Sequence, residues 1–400
     1  MALSFYIIGL DDSPAPQLSA QQEALVARHR VFSGGARHEA IMRLRVPQGA
    51  TWIRIEPPMP ALFAQYRAQG EAVVIFASGD PLFNGIAGTL EREFPGVPLE
   101  VYPAFHSLQS LCHRLLLPYQ GMRVVSLTGR PWDALDTALI EGSALIGVLT
   151  DKQTHTPQAI AERMLHYGYD NYTMSVGERL GNPTLERVGT YGLSQVSAEV
   201  FAYPHCVVLR RQAEHPRPTG IEDSELLLLD GRPKMLTKRL LRLLALAQLD
   251  LHNRGVLWDV GFCTGSVSIE ARLQYPHVQV VAFERREEGR RLIEGNAARH
   301  GAPGITVVIG DFLQAELGSY PKPEAVFIGG HGGKLAEMVA RIAGCLKAGG
   351  IMVFNAVQEE SRRAFAQAVA DNGLELESSH TIALDSYNPI TILKAVKWGR

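Results

Sequence analysis

Short apolar runs recur along the whole chain, and nearly every one stops at a glycine, an acid or a proline. Phe5-Tyr-Ile-Ile stops at Gly9. Ala72-Val-Val-Ile-Phe-Ala runs into Ser78-Gly-Asp-Pro81. Leu99-Glu-Val-Tyr ends at Pro103, ahead of Phe105-His-Ser107. Val124-Val-Ser-Leu ends at Thr128-Gly-Arg130, and Ala144-Leu-Ile-Gly-Val-Leu ends at Thr150-Asp151. Runs this short, separated by helical stretches, predict the strands of a mostly parallel sheet. The rhythm breaks at 210–220, a polar stretch with two prolines and a glycine that follows the strand Cys206-Val-Val-Leu209. It then resumes with an apolar helix over 240–251, for which Thr237 is placed as N-cap. Further strands follow at 257–260, 278–283, 306–309, 325–328, 350–354 and 390–396. The pattern predicts an α/β protein with domains at 1–212 and 221–400 and a linker at 213–220. There is no internal repeat or low-complexity segment, and the two halves share no glycine motif, so they are expected to be different folds.

Composition narrows the class. Four hundred residues fit two or three domains of about 150 residues each. An apolar share of 46% with 20% charged residues is that of an ordinary globular chain. A formal net charge of −2 supplies no field that draws nucleic acid or a membrane. The start, Met1-Ala-Leu-Ser-Phe, lacks the basic region and cleavage site of a signal peptide. The apolar helix is too short for a bilayer and is interrupted by Arg242, Gln248 and Asp250. Cys112, Cys206, Cys263 and Cys345 lie far apart with no metal-ligand spacing. They predict reduced, mostly buried thiols in a cytoplasmic protein, and no metal site.

The densest chemical signal is the stretch from Leu257 to Glu270. An apolar strand runs into Asp259, then into the turn Gly261, Phe262, Cys263, Thr264, Gly265, then into a helix start. Glycines let such a turn fold tightly and let a ligand approach the backbone. The dinucleotide fingerprint G-x-G-x-x-G, counted from Gly261, fails at Cys263 and Ser266. The pattern acid-x-G-x-G-x-G of S-adenosylmethionine-binding folds is met by Asp259, Gly261 and Gly265 and missed at Cys263. The next strand ends in Glu284, placed to accept hydrogen bonds from ribose hydroxyls. The one after it ends in Gly310-Asp311.

Both halves carry a family resemblance. Ser78-Gly-Asp-Pro-Leu-Phe-Asn-Gly-Ile86 resembles the S-G-D-P-x-F-x-G loop of tetrapyrrole methylases. Pro103-Ala-Phe-His-Ser107 is similar to that family's proline-aromatic-Ser-Ser turn, with His106 where serine is usual. Ser126-Leu-Thr-Gly-Arg130 resembles the S-L-H-G-R string of its C5-methylating members, with Thr128 for histidine. Gly177-Glu-Arg-Leu-Gly181, Glu186 and Gly189-Thr190 continue it. The loop Gly9-Leu-Asp-Asp-Ser-Pro14 departs from the usual G-x-G-P-G. After the linker, Pro233-Lys-Met-Leu-Thr-Lys238, Trp258-Asp-Val-Gly261, Val267-Ser-Ile-Glu270 and Phe327-Ile-Gly-Gly-His-Gly-Gly333 resemble the C15-methylating, decarboxylating precorrin enzymes. In order and extent the chain is similar to the fused precorrin methyltransferases of cobalamin (vitamin B12) biosynthesis.

The resemblance implies a tetrapyrrole methylase fold of two α/β subdomains followed by a Rossmann-like methyltransferase domain. It implies methylation of precorrin-6B/6Y at C5 by the first domain. The second would methylate C15 and remove the carboxylate of the C12 acetate. S-adenosylmethionine would be co-substrate, one per domain. The implied cofactor residues are Ser78, Gly79, Asp80, Ser107 and Thr150 in the first domain. In the second they are Thr237, the loop Gly261, Phe262, Cys263, Thr264 and Gly265, then Glu284 for the ribose and Asp311 and Phe312 about the adenine. Asp259 is expected to order the glycine loop. An electron-rich pyrrolic framework attacks a sulfonium methyl without a strong base, so no catalytic triad is expected and positioning carries much of the rate. Arg130, Lys334 and Lys394 are candidates for pairing with the substrate's carboxylates, and His331 for proton delivery during decarboxylation. Expected partners are the small-molecule tetrapyrrole and further copies of the chain, with no nucleic acid and no membrane. A fused methyltransferase acting on RNA or another substrate is the alternative. It would show a basic stripe or N-P-P-Y after the fourth strand, where this chain has Ile328-Gly-Gly-His. A non-catalytic nucleotide-sensing module is a third reading, favoured if Cys263 abolishes cofactor binding.

Overall fold

A computed structural model describes residues 2–399 apart from 218, 233–234 and 385–387. The Pro233-Lys234 start of the helix-entry string therefore lies outside the described residues. The chain forms two compact units. One comprises Met1–Pro131, Ser143–Glu162 and Tyr172–Gln212; the other comprises Trp132–Gly142, Arg163–Asn171 and Ala213–Arg400.

The first unit holds two sheets. Strands β1 (Ser4–Leu10), β2 (Val31–Gly34), β3 (Thr51–Arg54), β4 (Ala72–Ser78) and β5 (Leu99–Tyr102) form one, in the order β3-β2-β4-β1-β5. Every pair in it is parallel. Strands β6 (Arg123–Ser126), β7 (Leu145–Leu149), β8 (Tyr172–Glu178), β9 (Arg187–Gly192) and β10 (His205–Arg211) form the other, in the order β6-β7-β10-β8-β9. Here only β6 and β7 run parallel. The expectation of a mostly parallel sheet thus holds for the first sheet and fails for the second. The physical reason is loop length: β8 and β9 are joined by residues 179–186 alone, too few for the helical crossover a parallel neighbour needs.

The second unit is a single sheet of β11 (Val256–Val260), β12 (Gln279–Glu284), β13 (Ile305–Ile309), β14 (Ala325–Ile328), β15 (Gly350–Ala356), β16 (Glu375–Ile382) and β17 (Ile390–Lys397). Its order is β13-β12-β11-β14-β15-β17-β16, parallel except that β17 runs antiparallel to both neighbours. Alternate residues of β11 serve opposite faces. Trp258 packs with the helices Leu335–Cys345 and Glu359–Asp371, and Leu257 with the helix Arg239–Leu249. Chain order reverses between β11 and β14, which opens a crevice at the carboxyl ends of those strands.

One predicted cap is corrected. The apolar helix begins at Arg239 with Lys238 at the N-cap, not Thr237. The carboxylate Oδ1 of Asp223 accepts the Arg239 amide at 3.0 Å, so a distant acid does the work expected of a local hydroxyl. Behind this helix start lies a buried ion pair. Arg242 and Glu270 have almost no exposure, with Arg242 Nε 3.3 Å from Glu270 Oε2. Glu270 also accepts the amides of Gly220 and Ile221, each at 2.9 Å, while Arg242 donates to the carbonyls of Thr237 and Ile221. The pair fixes where the chain enters the second unit and where Thr237 sits.

Removing one partner of a buried pair strands the other's charge. Arg242→Ala should therefore cost about 3–5 kcal/mol in urea unfolding of the second unit, whereas replacing both partners by apolar residues of similar volume should cost far less. Equal losses in the single and double variants would show that the two charges do not act as a pair.

Candidate cofactor and substrate cavities

In the second unit the crevice is a cavity of about 330 Å³. Thr237, Gly261, Phe262, Cys263, Thr264, Glu284, Asp311 and Phe312 all line it; Gly265 does not. Both glycines are required, for different reasons. Gly261 has φ 77°, and a Cβ on it would lie 2.5 Å from the Gly330 carbonyl oxygen. Gly265 has φ 76°, and its Cβ would lie 2.3 Å from Cγ1 of Ile293. The first lets two strand-end loops touch; the second lets the helix Glu288–His300 pack. Cys263 adopts a left-handed φ of 52° without glycine's freedom. Its thiol donates to the Met235 carbonyl at 3.2 Å, so the side chain is tied to the 235–238 segment. Burial, then the Glu284 charge, pushes that thiol above its ordinary range.

Glu284 is nearly buried and holds the loop in place. Its Oε2 accepts the Cys263 amide at 2.9 Å, and its Oε1 accepts the Arg286 amide at 3.0 Å. The Arg286 guanidinium lies 3.4 Å from the same Oε1, so three of the carboxylate's roughly four lone-pair sites are occupied and the open one is on Oε2. Phe312 closes the β13 side from an aromatic cluster with Trp258 and Phe283. Asp311 caps its own turn through Leu313 N and lies 3.7 Å from Lys334 Nζ. His331 lines the cavity and accepts the Gly333 amide at Nδ1, 3.2 Å away. Lys394 does not line the cavity: from the interior strand β17 it pairs with Glu377 of the neighbouring edge strand β16 at 2.6 Å.

Asp259 has no exposure. Its Oδ2 accepts the amide and hydroxyl of Ser268, at 3.1 and 2.6 Å, while Oδ1 has no partner. It thus ties β11 to the start of the helix Ser266–Gln274, the two elements that the glycine loop joins. Burial pushes this carboxyl up to about 7, with the Ser268 bonds opposing and the Glu284 charge adding.

The first unit has a cavity of about 430 Å³ at the ends of β1, β4 and β7. Ser78, Gly79, Ser107 and Thr150 line it. Asp80 does not; its carboxylate accepts the Leu82 amide at 2.9 Å, as a turn aspartate does. A Cβ on Gly9 would lie 1.9 Å from Gly79 O, so the β1 and β4 loops touch through bare backbone. The Thr150 hydroxyl is used internally, on His205 at 2.6–2.7 Å. Arg130 stands at the rim, 3.4 Å from Asn84.

Sequence reasoning missed a charged network on this wall. Asp12, nearly buried, pairs with Arg37 at 2.6 Å and Arg179 at 2.7 Å. Arg37 also donates to Ser78 Oγ at 2.6 Å, and His38 Nε2 lies 3.3 Å from the same oxygen. Of the two acids that break the usual N-terminal loop pattern, Asp12 anchors Arg37 through its carboxylate and Asp11 only through its backbone carbonyl. Burial, then Arg37, pushes His38 down to about 4, so it is neutral. The available signal was Gly34-Gly35 ahead of Arg37-His38, a glycine break followed by two polar, chemically able residues.

Comparison with known proteins defines the class. Residues 33–196 match the family model for tetrapyrrole (corrin/porphyrin) methylases, and 230–397 match that for a precorrin methyltransferase domain. The chain is thus a methyltransferase built of two unlike parts. It is 32% identical over 364 residues to the precorrin-6Y C(5,15)-methyltransferase [decarboxylating] of Sinorhizobium sp, covering 88% of this chain and 84% of the relative. On that evidence it belongs to the precorrin-6Y C(5,15)-methyltransferase (decarboxylating) family. Its second half is also 36% identical over 164 residues to the cobalt-precorrin-6B C(15)-methyltransferase (decarboxylating) of Salmonella typhimurium, covering 41% of this chain and 84% of that one. A crystal structure of precorrin-6y C5,15-methyltransferase from Geobacter metallireducens aligns at 31% identity and a TM-score of 0.42, over 45% of this chain and 98% of that one. Among the described residues there is no group of His, Cys, Asp and Glu able to hold a metal, and no helix is long and apolar enough to cross a membrane.

The raised carboxyl of Asp259 gives a pH prediction. The folded state holds this proton more tightly than the unfolded state, so stability from the group is greatest in acid and falls as pH climbs from about 4 to about 7. Asp259→Asn, which keeps a neutral side chain, should raise the melting temperature at pH 8 but hardly at pH 4. A gain on the order of 1 kcal/mol would shift it by roughly 2–4 °C for a unit of this size. A lower melting temperature at pH 8 would show that the ionised carboxylate is what the fold requires.

Proposed function

We propose that the chain methylates a precorrin-6B/6Y macrocycle twice in cobalamin biosynthesis, with a division of labour that follows the division of the sequence. Residues 1–212 methylate C5. Residues 221–400 methylate C15 and remove the carboxylate of the C12 acetate. The observation that carries this reading is the pairing of a glycine-floored cavity with Glu284 at the strand switch point in a chain of this family. S-adenosylmethionine, the co-substrate, supplies an electrophilic methyl group. Glu284 would hold its ribose, and Phe312 with Asp311 would border its adenine. Backbone at Gly261 admits it without a side chain in the way.

The protein's remaining task is placement. A meso carbon in line with a methyl group needs orientation more than a base, and a walled cavity keeps water from competing. Decarboxylation moves an electron pair from the breaking C–C bond into the conjugated ring, after which the former acetate carbon takes a proton. His331 belongs to that cavity wall, and with its Nδ1 accepting the Gly333 amide, Nε2 is the nitrogen left to carry a proton. We read the protein as working in the cytoplasm with one co-substrate molecule in each cavity.

Two measurements test the reading. Calorimetric titration with S-adenosylhomocysteine should fit two sites per chain; a single site that survives Glu284→Ala would leave the second unit without cofactor. In activity assays Glu284→Ala should lose C15 methylation and decarboxylation together while C5 methylation persists. Losing a hydrogen bond to a charged group costs about 1.5–3 kcal/mol, or roughly ten- to a hundredfold in affinity. Product masses should then show a gain of one methyl without loss of carbon dioxide. Normal decarboxylation by this variant, or loss of C5 methylation instead, would overturn the assignment of the two halves.

A further inference from the structure

The wall of the first unit's cavity contains a hydrogen-bond donor that the protein itself does not use. His106 stands at the N-cap of the helix Ser107–Arg114. Its Nδ1 accepts the Gln109 amide at 3.2 Å, and Gln109 Oε1 accepts the His106 amide at 3.1 Å. Because Nδ1 must offer a lone pair to that amide, the ring proton of the neutral imidazole resides on Nε2. The ring plane is fixed as well: it stacks on Phe83, with centroids 3.6 Å apart and planes within 5°. His106 lies directly against the Ser78–Gly79 loop, since a Cβ on Gly79 would come within 2.8 Å of its Cα. Burial lowers the affinity of the imidazole for a second proton, with the Asp80 charge opposing, so the lone pair that caps the helix is preserved.

We propose that His106 is a specificity residue of this cavity, whose Nε2–H receives a carboxylate of the bound ligands. The inference rests on reading the cavity as the C5-methylation site. Both reactants in that reading carry carboxylates: the amino-acid end of the methyl donor, and the acetate and propionate arms of the macrocycle. A fixed N–H on a half-apolar wall, between Phe83 and the exposed Phe105, gives a short, directional bond to a charged acceptor. The serine that resembling chains carry here could cap the helix but would reach less far into the cavity.

That difference supplies the test. Serine and aspartate are good N-caps, so His106→Ser retains the cap without the far-reaching Nε2 donor, and His106→Asp retains it with no donor at all. The full chain would be titrated with S-adenosylhomocysteine and with 5′-methylthioadenosine, which is the same thioether nucleoside without a carboxylate, and C5 methylation would be assayed against precorrin. With the melting temperature unchanged, one of two results is expected. Either S-adenosylhomocysteine binding at the first unit weakens about ten- to a hundredfold while methylthioadenosine binding holds, which identifies the donor's carboxylate. Or nucleoside binding holds while KM for the tetrapyrrole rises by a similar factor at constant kcat, which identifies a carboxylate of the macrocycle. Unchanged values throughout, or equal weakening of both nucleosides, would overturn the role of His106. If the unmodified chain neither binds S-adenosylhomocysteine in this unit nor makes the C5 product, what fails is the reading of the cavity, a result separate from either.

Discussion

Each cavity has a floor made by two loops touching through bare backbone. In the second unit the contact is Gly261 against Gly330, at the ends of β11 and β14; in the first it is Gly9 against Gly79, at the ends of β1 and β4. In both places a single added carbon would collide with a carbonyl group. Neighbouring parallel strands therefore end in register with no side chain between them, and the space above is left for a ligand to meet amides directly. The surrounding acids and histidines matter because that floor sets their spacing.

The acids at the two sites are largely occupied by the protein. Glu284 binds two loop amides, Asp259 binds the start of a helix, and Asp12 holds two arginines. Such bonds fix carboxylates whose freedom would otherwise be lost on binding a ligand. They also separate roles. Both border the same cavity, but Glu284 holds loop amides, whereas Asp259 holds a helix start and leaves its Oδ1 without a partner. Two acids at successive strand ends look alike as letters and, both buried, differ in what they hold.

What the sequence disclosed follows from how each feature is encoded. The strands that point at the cavities are unbroken apolar runs stopped by a glycine or a polar residue, so β1, β4, β7, β11, β12 and β14 were legible. Strands β2 and β3, Val31–Gly34 and Thr51–Arg54, break their apolar positions with Ser33 and Gly34 or with Thr51 and Arg54, so neither shows a continuous apolar run. Strand β16 is mostly exposed and polar along its length, Glu375–Ile382, and hides among loops. The glycine-loop residues were found because a tight turn constrains residue type locally. The Asp12–Arg37–Arg179 network was not, because it joins positions far apart in sequence and depends on the fold for its geometry. The Asp223 cap of the Arg239 helix escaped for the same reason, while nearby Thr237 offered a plausible local answer.

Cys263 fills the place of a glycine, and that substitution has a chemical side. A cavity that accepts an activated methyl group is a hazardous location for sulfur, since an ionised thiol is a strong nucleophile and would be alkylated in the substrate's stead. Here the thiol is kept in its protonated form by burial and by the neighbouring Glu284 charge, and its hydrogen is directed to the Met235 carbonyl. In the proposed reading, the carboxylate that would hold the ribose would also help keep this thiol unreactive, and the protein would be protected from its own reagent.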